Sequence, residues 1–229
     1  MHVPDGFFDA TLSVGAAVVA VGGIAVCLRR ARDGLDERTA PLAGAVAAFI
    51  FAVQMINFPV GLGTSGHLMG GALAAILVGP YAGALCVTVV LVVQGLVIAD
   101  GGLTALGINV VLMAFATAFV GWLVFRLVMS LLPRTRTSAT TAAFVGALVS
   151  VPAAALVFVA MFAIGGNADL PLGGLAAAMT GFHGLIGIGE GLVTAATIGF
   201  VASVRPDLVY GLRGVNAREQ QAAVAGGAA

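Results

Sequence analysis

Apolar residues run along this chain in long blocks, broken at intervals by short polar groups, and the block lengths predict helices that cross a bilayer. One crossing needs about 20 apolar residues in helical form. Blocks of that kind run from near Thr11 to Leu28, Ala40 to Phe58, Leu103 to Leu132, Ser138 to Ile164 and Leu172 to Val204. The stretch from His67 to Ala99 is too long for a single crossing and is interrupted by Gly79-Pro80. Proline there breaks the intrahelical ladder, so the stretch reads as two helices, the first of them short. An uncharged loop, Pro59 to Gly66, precedes it. The pattern predicts an all-α polytopic membrane protein of about seven transmembrane helices over residues 1–204. The tail over 205–229, with Gln220-Gln221 and Gly226-Gly227, reads as low-complexity, mobile and cytoplasmic.

Composition and charge sharpen this. The chain is 60% hydrophobic and 9% charged, where soluble domains carry roughly 25% charged residues. Its 33 glycines suit close helix packing in lipid. Cys27 and Cys86 lie inside apolar runs and read as small buried hydrophobes, not as a disulfide framework. The start has no basic leader and carries Asp5 and Asp9, so it does not read as a secretory signal.

There is no lysine, and the arginines set the orientation. Arg29, Arg30, Arg32 and Arg38 fall between the first two spans; Arg126, Arg134 and Arg136 cluster around the end of the fifth; Arg205, Arg213 and Arg218 follow the seventh. Seven crossings place all of them on the cytoplasmic side, as the positive-inside rule expects, with the N-terminus outside. Asp5, Asp9, Asp100 and Asp169 then face the opposite side. A single helix over 67–99 would split the arginines between two sides. The missing lysine also excludes a P-loop phosphate site. ATP-driven work would therefore need partner subunits. The lipid bilayer is the expected surrounding, and no nucleic-acid partner is expected.

The candidate chemistry begins at the first residue. The amine of Met1, the amide nitrogen of His2 and the Nδ1 of its imidazole can close a five-membered and a six-membered chelate ring around Ni(II), Cu(II) or Co(II). Planar nitrogen donors suit nickel or copper before zinc. One more nitrogen would complete the square, and His67 is the best-placed candidate, because seven crossings bring its loop to the same outer face. Pro4 biases the tip toward extended backbone and Asp5-Gly6 supplies turn chemistry, so the tip reads as held in place.

Other polar residues sit in or beside apolar runs. Gln54, Asn57, Gln94 and Asn109 can glue helices together or orient metal ligands, which usually donate their second N–H to a neighbouring group. Asp5 and Ser65, beside the two ligand positions, share that supporting reading. His183 and Glu190 lie seven residues apart on one helix face. Ionisable groups inside spans default to function: support for the site, a coupling contact, or a cation path. The plainer reading is a buried polar cluster. Ala40, Gly44, Ala48 and Ala52 form a stripe of small residues, suited to internal packing or to a partner helix. A zinc hydrolase is disfavoured, since His-Glu-x-x-His spacing is absent.

Taken together, Met1-His2-Val3-Pro4-Asp5-Gly6, Gln54-Met55-Ile56-Asn57-Phe58-Pro59, Gly63-Thr64-Ser65-Gly66-His67-Leu68, Asp100-Gly101-Gly102 with Leu106-Gly107-Ile108-Asn109, and His183 to Gly191 resemble a known family. It is the substrate-binding (S) components of energy-coupling factor (ECF) transporters for cobalt and nickel, of the CbiM/NikM type. The resemblance implies metal held at Met1, His2 and His67. It further implies a transmembrane coupling subunit, cytosolic ATPase subunits and a small accessory membrane protein as partners. It also implies uptake of Co(II) or Ni(II) across the plasma membrane with no organic cofactor, no enzymatic activity of the chain's own, and docking through the small-residue stripe. The chain ends after the seventh span, without the fused C-terminal extension of some relatives, which favours the cobalt branch that feeds cobalamin synthesis. The planar nitrogen set suits nickel at least as well. A stand-alone secondary carrier or channel using His183 and Glu190 is the rival from another class.

Overall fold

In the computed structural model, which describes residues 2–32, 39–61, 64–133 and 135–213, the protein is a bundle of long apolar helices around one short buried helix. Helix α1 spans Ala10–Ala31, and Asp9 caps it by accepting from the Leu12 N–H at 2.7 Å. Helix α2 spans Thr39–Gln54. The chain then forms a small antiparallel hairpin of β1 (Phe58–Gly61) and β2 (Thr64–Gly66), where sequence had predicted only a loop. Helix α2 ends at Gln54, earlier than Phe58, because the chain turns out at Met55 to enter that hairpin.

Helix α3, Gly71–Val78, follows, and every residue in it is buried. Gly79-Pro80 separates it from α4, Pro80–Val97, as proline at a first helical position favours. Helix α5 runs Leu106–Leu131 and contains a π-helical stretch at Val110–Ala116. Such stretches recur at functional sites, and this one begins directly after Asn109. Helix α6, Arg136–Gly165, carries Pro152 in its interior, a feature tolerated in membrane helices. Helix α7 spans Leu172–Val204, the bounds predicted for the last span.

Among the described residues five helices, α1, α4, α5, α6 and α7, are long and apolar enough to cross a membrane. Helix α2 has 16 residues and α3 has 8, so α3 rises only about 12 Å and cannot cross alone. Where the sequence predicted about seven full spans, the described residues form five helices of crossing length and two shorter ones. Outward-facing Val14, Val18, Leu123, Leu127, Leu185 and Phe200 are exposed, as lipid-facing residues must be.

The two ends of the bundle differ. At one end the start of α1 meets the end of α6 through the Asp9 N–H to Gly165 O bond at 2.8 Å, and Val3 meets Asn109 at the start of α5. At the other end Arg30, Gly79, Tyr81, Tyr210 and Arg213 line one cavity. Arg213 lies 4.4 Å from the Tyr210 ring centroid, Tyr210 packs on Trp122 at 5.4 Å, and Arg126 lies 5.8 Å from Trp122. Arginines from α1, α5 and the segment after α7 thus share one end. Arg38, Arg134, Arg218 and the tail over 214–229 lie outside the described residues.

The small-residue stripe is not internal packing. Ala40, Gly44, Ala48 and Ala52 are all exposed on the outer face of α2.

Candidate metal centre

The N-terminal tip folds back into the bundle and is fastened residue by residue. Val3 donates its N–H to Asn109 Oδ1 at 2.8 Å, and the Val3 carbonyl accepts from Asn109 Nδ2 at 3.3 Å and from the Gly102 N–H at 2.8 Å. Gly102 is glycine for a steric reason: a Cβ there would lie 2.3 Å from the Asp5 nitrogen. Asp5 Oδ1 accepts from the Thr104 N–H at 2.8 Å and its hydroxyl at 2.5 Å, which holds this exposed carboxyl below its usual value. The Gly6 carbonyl accepts from Asn167 Nδ2 at 3.2 Å. Phe7 and Phe8 then pack on Phe158 and Phe162.

This fastening places the His2 imidazole, only 4% exposed, against His67, which is fully buried. The two rings stack with centroids 4.6 Å apart and planes inclined by 29°. Residues 65 positions apart therefore meet, as the chelate argument required. Hydrogen bonds orient both rings. Gln94 Oε1 faces His2 Nε2 at 3.0 Å, and with that nitrogen donating, Nδ1 is left with a lone pair. A backbone carbonyl, Leu68 O, accepts from His67 Nδ1 at 2.8 Å, which leaves the lone pair on Nε2. Both lone-pair nitrogens are buried without a hydrogen-bond partner among the described residues.

Burial pushes the His2 imidazole down to about 4 and holds His67 well below 6.5, where the neighbouring His2 adds to the effect. Both rings are neutral at neutral pH, the form that binds metal. Asp100 Oδ1 stands 3.4 Å from His2 Nδ1. A carboxylate facing an imidazole lone pair is repulsive unless a proton or a metal cation lies there.

Of the remaining predicted groups, Gln94 and Asn109 contact the tip directly, and Asp5 ties it to the loop before α5. Glu190 accepts from the backbone N–H groups of Met69 and Gly70, two and three residues beyond His67. The Met179 carbonyl accepts from His183 Nδ1 at 2.8 Å; His183 Nε2 is buried with no hydrogen-bond partner among the described residues. His183 and Glu190 thus bond to different backbone segments. Gln54, one of several amides expected to glue helices or orient ligands, donates to Met69 O at 2.8 Å. Asn57 is exposed and stands outside these contacts. Met1 lies outside the described residues, as does the side chain of Ser65, whose strand β2 is described.

Asp100 was legible as an acidic residue of an outer loop and as part of the Asp100-Gly101-Gly102 stretch; its place beside His2 depends on the turn at Gly101, whose φ is +95°. Among the described residues no three His, Cys, Asp or Glu side chains form a metal cluster by themselves. The donor set expected from the sequence draws two of its four nitrogens from the main chain.

Residues 2–208 match the family model described as "Cobalt uptake substrate-specific transmembrane region", CbiM. The chain is 39% identical over 215 residues to a putative fused nickel transport protein NikMN of Archaeoglobus fulgidus, covering 91% of this chain and 68% of that one. It is 38% identical over 214 residues to a putative metal transport protein of Haloquadratum walsbyi, covering 92% and 94%. A crystal structure of a transition metal transporter superposes with a TM-score of 0.79 at 28% identity, covering 89% of this chain and 93% of that one.

Proposed function

This chain belongs to the CbiM family of cobalt-uptake transmembrane proteins, multi-pass proteins of the membrane, and on that footing we propose that it is the metal-capturing S component of an ATP-driven ECF-type uptake system. Its substrate is Co(II), with Ni(II) the alternative, and its product serves cobalamin synthesis. The metal is taken at the outer face by the Met1 amine, the His2 amide nitrogen and Nδ1, and His67 Nε2. The observation that carries this reading is the meeting of His2 and His67, each buried, neutral and with one unpartnered ring nitrogen. Seven passes, with α2 beside the five long helices and α3 crossing only together with the chain that flanks it, put the metal site outside and the arginine-rich end in the cytoplasm; the gathering of Arg30, Arg126 and Arg213 at one end supports that. A coupling subunit and cytosolic ATPase subunits supply the energy, with a small accessory membrane protein, and the exposed stripe Ala40, Gly44, Ala48 and Ala52 is where the coupling subunit docks.

Calorimetry with Co(II) and Ni(II) on the purified chain tests the site, comparing a native start with one extra N-terminal residue. The extension removes the chelating amine, so high-affinity binding is expected to disappear, and the metal bound more tightly by the native form is the leading substrate. Undiminished binding by the extended form would sink the N-terminal site. A secondary carrier through His183 and Glu190 would instead move metal in vesicles without any ATPase and would tolerate the extension.

A further inference from the structure

Glu190 lies in the middle of α7 and is 2% exposed. A carboxylate buried this deeply in a membrane helix is costly unless its oxygens are occupied. Here both oxygens accept from consecutive backbone groups: Oε2 from the Met69 N–H at 2.6 Å and Oε1 from the Gly70 N–H at 3.0 Å. The Met69 carbonyl is taken from the other side by Gln54 Nε2, at 2.8 Å, from the last residue of α2. Gly70 adopts φ +77°, and a Cβ there would lie 2.7 Å from Ile50 Cγ1, so the turn into α3 is tightly defined. One residue upstream, Leu68 O receives the His67 Nδ1 proton. Two buried side chains from two different helices therefore hold the backbone that fixes the tautomer and direction of the His67 ring.

We propose that Glu190 is a positioning residue for His67, with Gln54 as its counterpart: together they clamp residues 68–70 so that His67 Nε2 is presented to the metal. This rests on the reading of His67 as a metal ligand. The chemistry explains the choice of an acid. Two adjacent N–H groups need two acceptors, which a carboxylate provides and an amide does not, because its NH₂ would face one of the two donors. A negative group at this place also suits the N-terminus of α3. An acid that merely capped α3 would serve the fold alone, and its loss would be felt with or without His67.

A double-mutant cycle separates these roles. Ni(II) binding is measured by calorimetry and by ligand-field absorbance on the full chain with its native start, for the wild type, E190Q, H67A and the H67A/E190Q pair, with thermal unfolding of each metal-free protein alongside. E190Q is expected to weaken binding at least about tenfold while the absorbance band at saturation keeps its position, since the donors are unchanged. In the H67A background, where only the tip nitrogens remain, E190Q is expected to change the residual binding less than about twofold. Wild-type affinity in E190Q overturns the proposal, and so does an equal loss in both backgrounds. If E190Q does not fold, Gln54→Leu carries the same cycle by removing the other tie, with the same two overturning results. Wild-type binding by H67A would remove the ligand reading itself, and is recognised without any Glu190 variant.

Discussion

The two segments that meet at the candidate site are held in opposite ways. The tip carrying His2 is fastened from the outer end of the bundle, by Gln94 at the end of α4, Gly102 and Thr104 in the following loop, Asn109 in α5 and Asn167 beyond α6. Several of these bonds are exposed, including Asp5 with Thr104 and Gly6 with Asn167. The segment carrying His67 is fastened from inside the bundle, by Gln54 of α2 and Glu190 of α7, both buried. Buried and exposed bonds together hold His2; a few bonds, all buried or partly buried, hold the segment of His67. Each buried bond matters more, because a partner left unsatisfied in a low dielectric has no water to turn to. A metal bound as proposed would join these two sets of helices.

That contrast can be broken most severely at Asn109, which bonds both to the N–H and to the carbonyl of buried Val3. Asn109→Ala strands the buried Val3 N–H, while the Val3 carbonyl keeps the Gly102 N–H; the loss is about 1–3 kcal/mol, so metal affinity is expected to fall roughly 5- to 150-fold by calorimetry. A loss under twofold would mean that the tip docks without it. Asp100→Asn comes next: removing the carboxylate beside His2 Nδ1 is expected to weaken binding several-fold, and the difference from wild type should shrink in high salt because Asp100 is partly exposed. A salt-independent effect would argue for direct ligation instead.

Acid sharpens the comparison further. The docked His2 titrates near 4 against 6.5 undocked, so the docked tip binds fewer protons, and docking weakens as pH falls from about 6.5 toward 4. Metal affinity should begin to fall at higher pH, because the amine, with an ordinary value of about 7.7–8.0, must also lose its proton. Calorimetry in buffers of different ionisation enthalpy would read this as proton release near neutral pH; none would count against the amine as a donor. The smallest effect is expected at the exposed edge: Thr104→Ala should change affinity by no more than about threefold, since the backbone N–H still donates to Asp5 and water replaces the lost hydroxyl bond. A larger loss would place the tip's main anchor at the surface.

Much of this was legible in the sequence, for identifiable reasons. Long apolar blocks determine membrane helices almost by length alone, and Leu172–Val204 emerged with the bounds its hydropathy implied. Gly79-Pro80 determined the break between α3 and α4 through proline's missing N–H. The pairing of His2 with His67 followed from chelate chemistry and from the parity of crossings.

Other features depended on contacts between residues distant in sequence. Nothing local in Phe58–Gly66 distinguishes a hairpin from a loop, and nothing in α5 announces the π-helical turns after Asn109. The small-residue stripe on α2 reads equally as core or surface until neighbouring helices are placed, and only the bundle leaves it exposed. Glu190 was legible as an ionisable group in a span and Gln54 as one of several amides, each in a stretch that carried the resemblance, but their partners were not. Their shared hold on Met69 joins groups 121 and 15 positions from it. Periodicity and covalent chemistry act over a few residues, so sequence alone determined the long helices and suggested the tip as a chelator. Which buried polar group meets which backbone amide is a property of the packed bundle, and only the tertiary structure decided it.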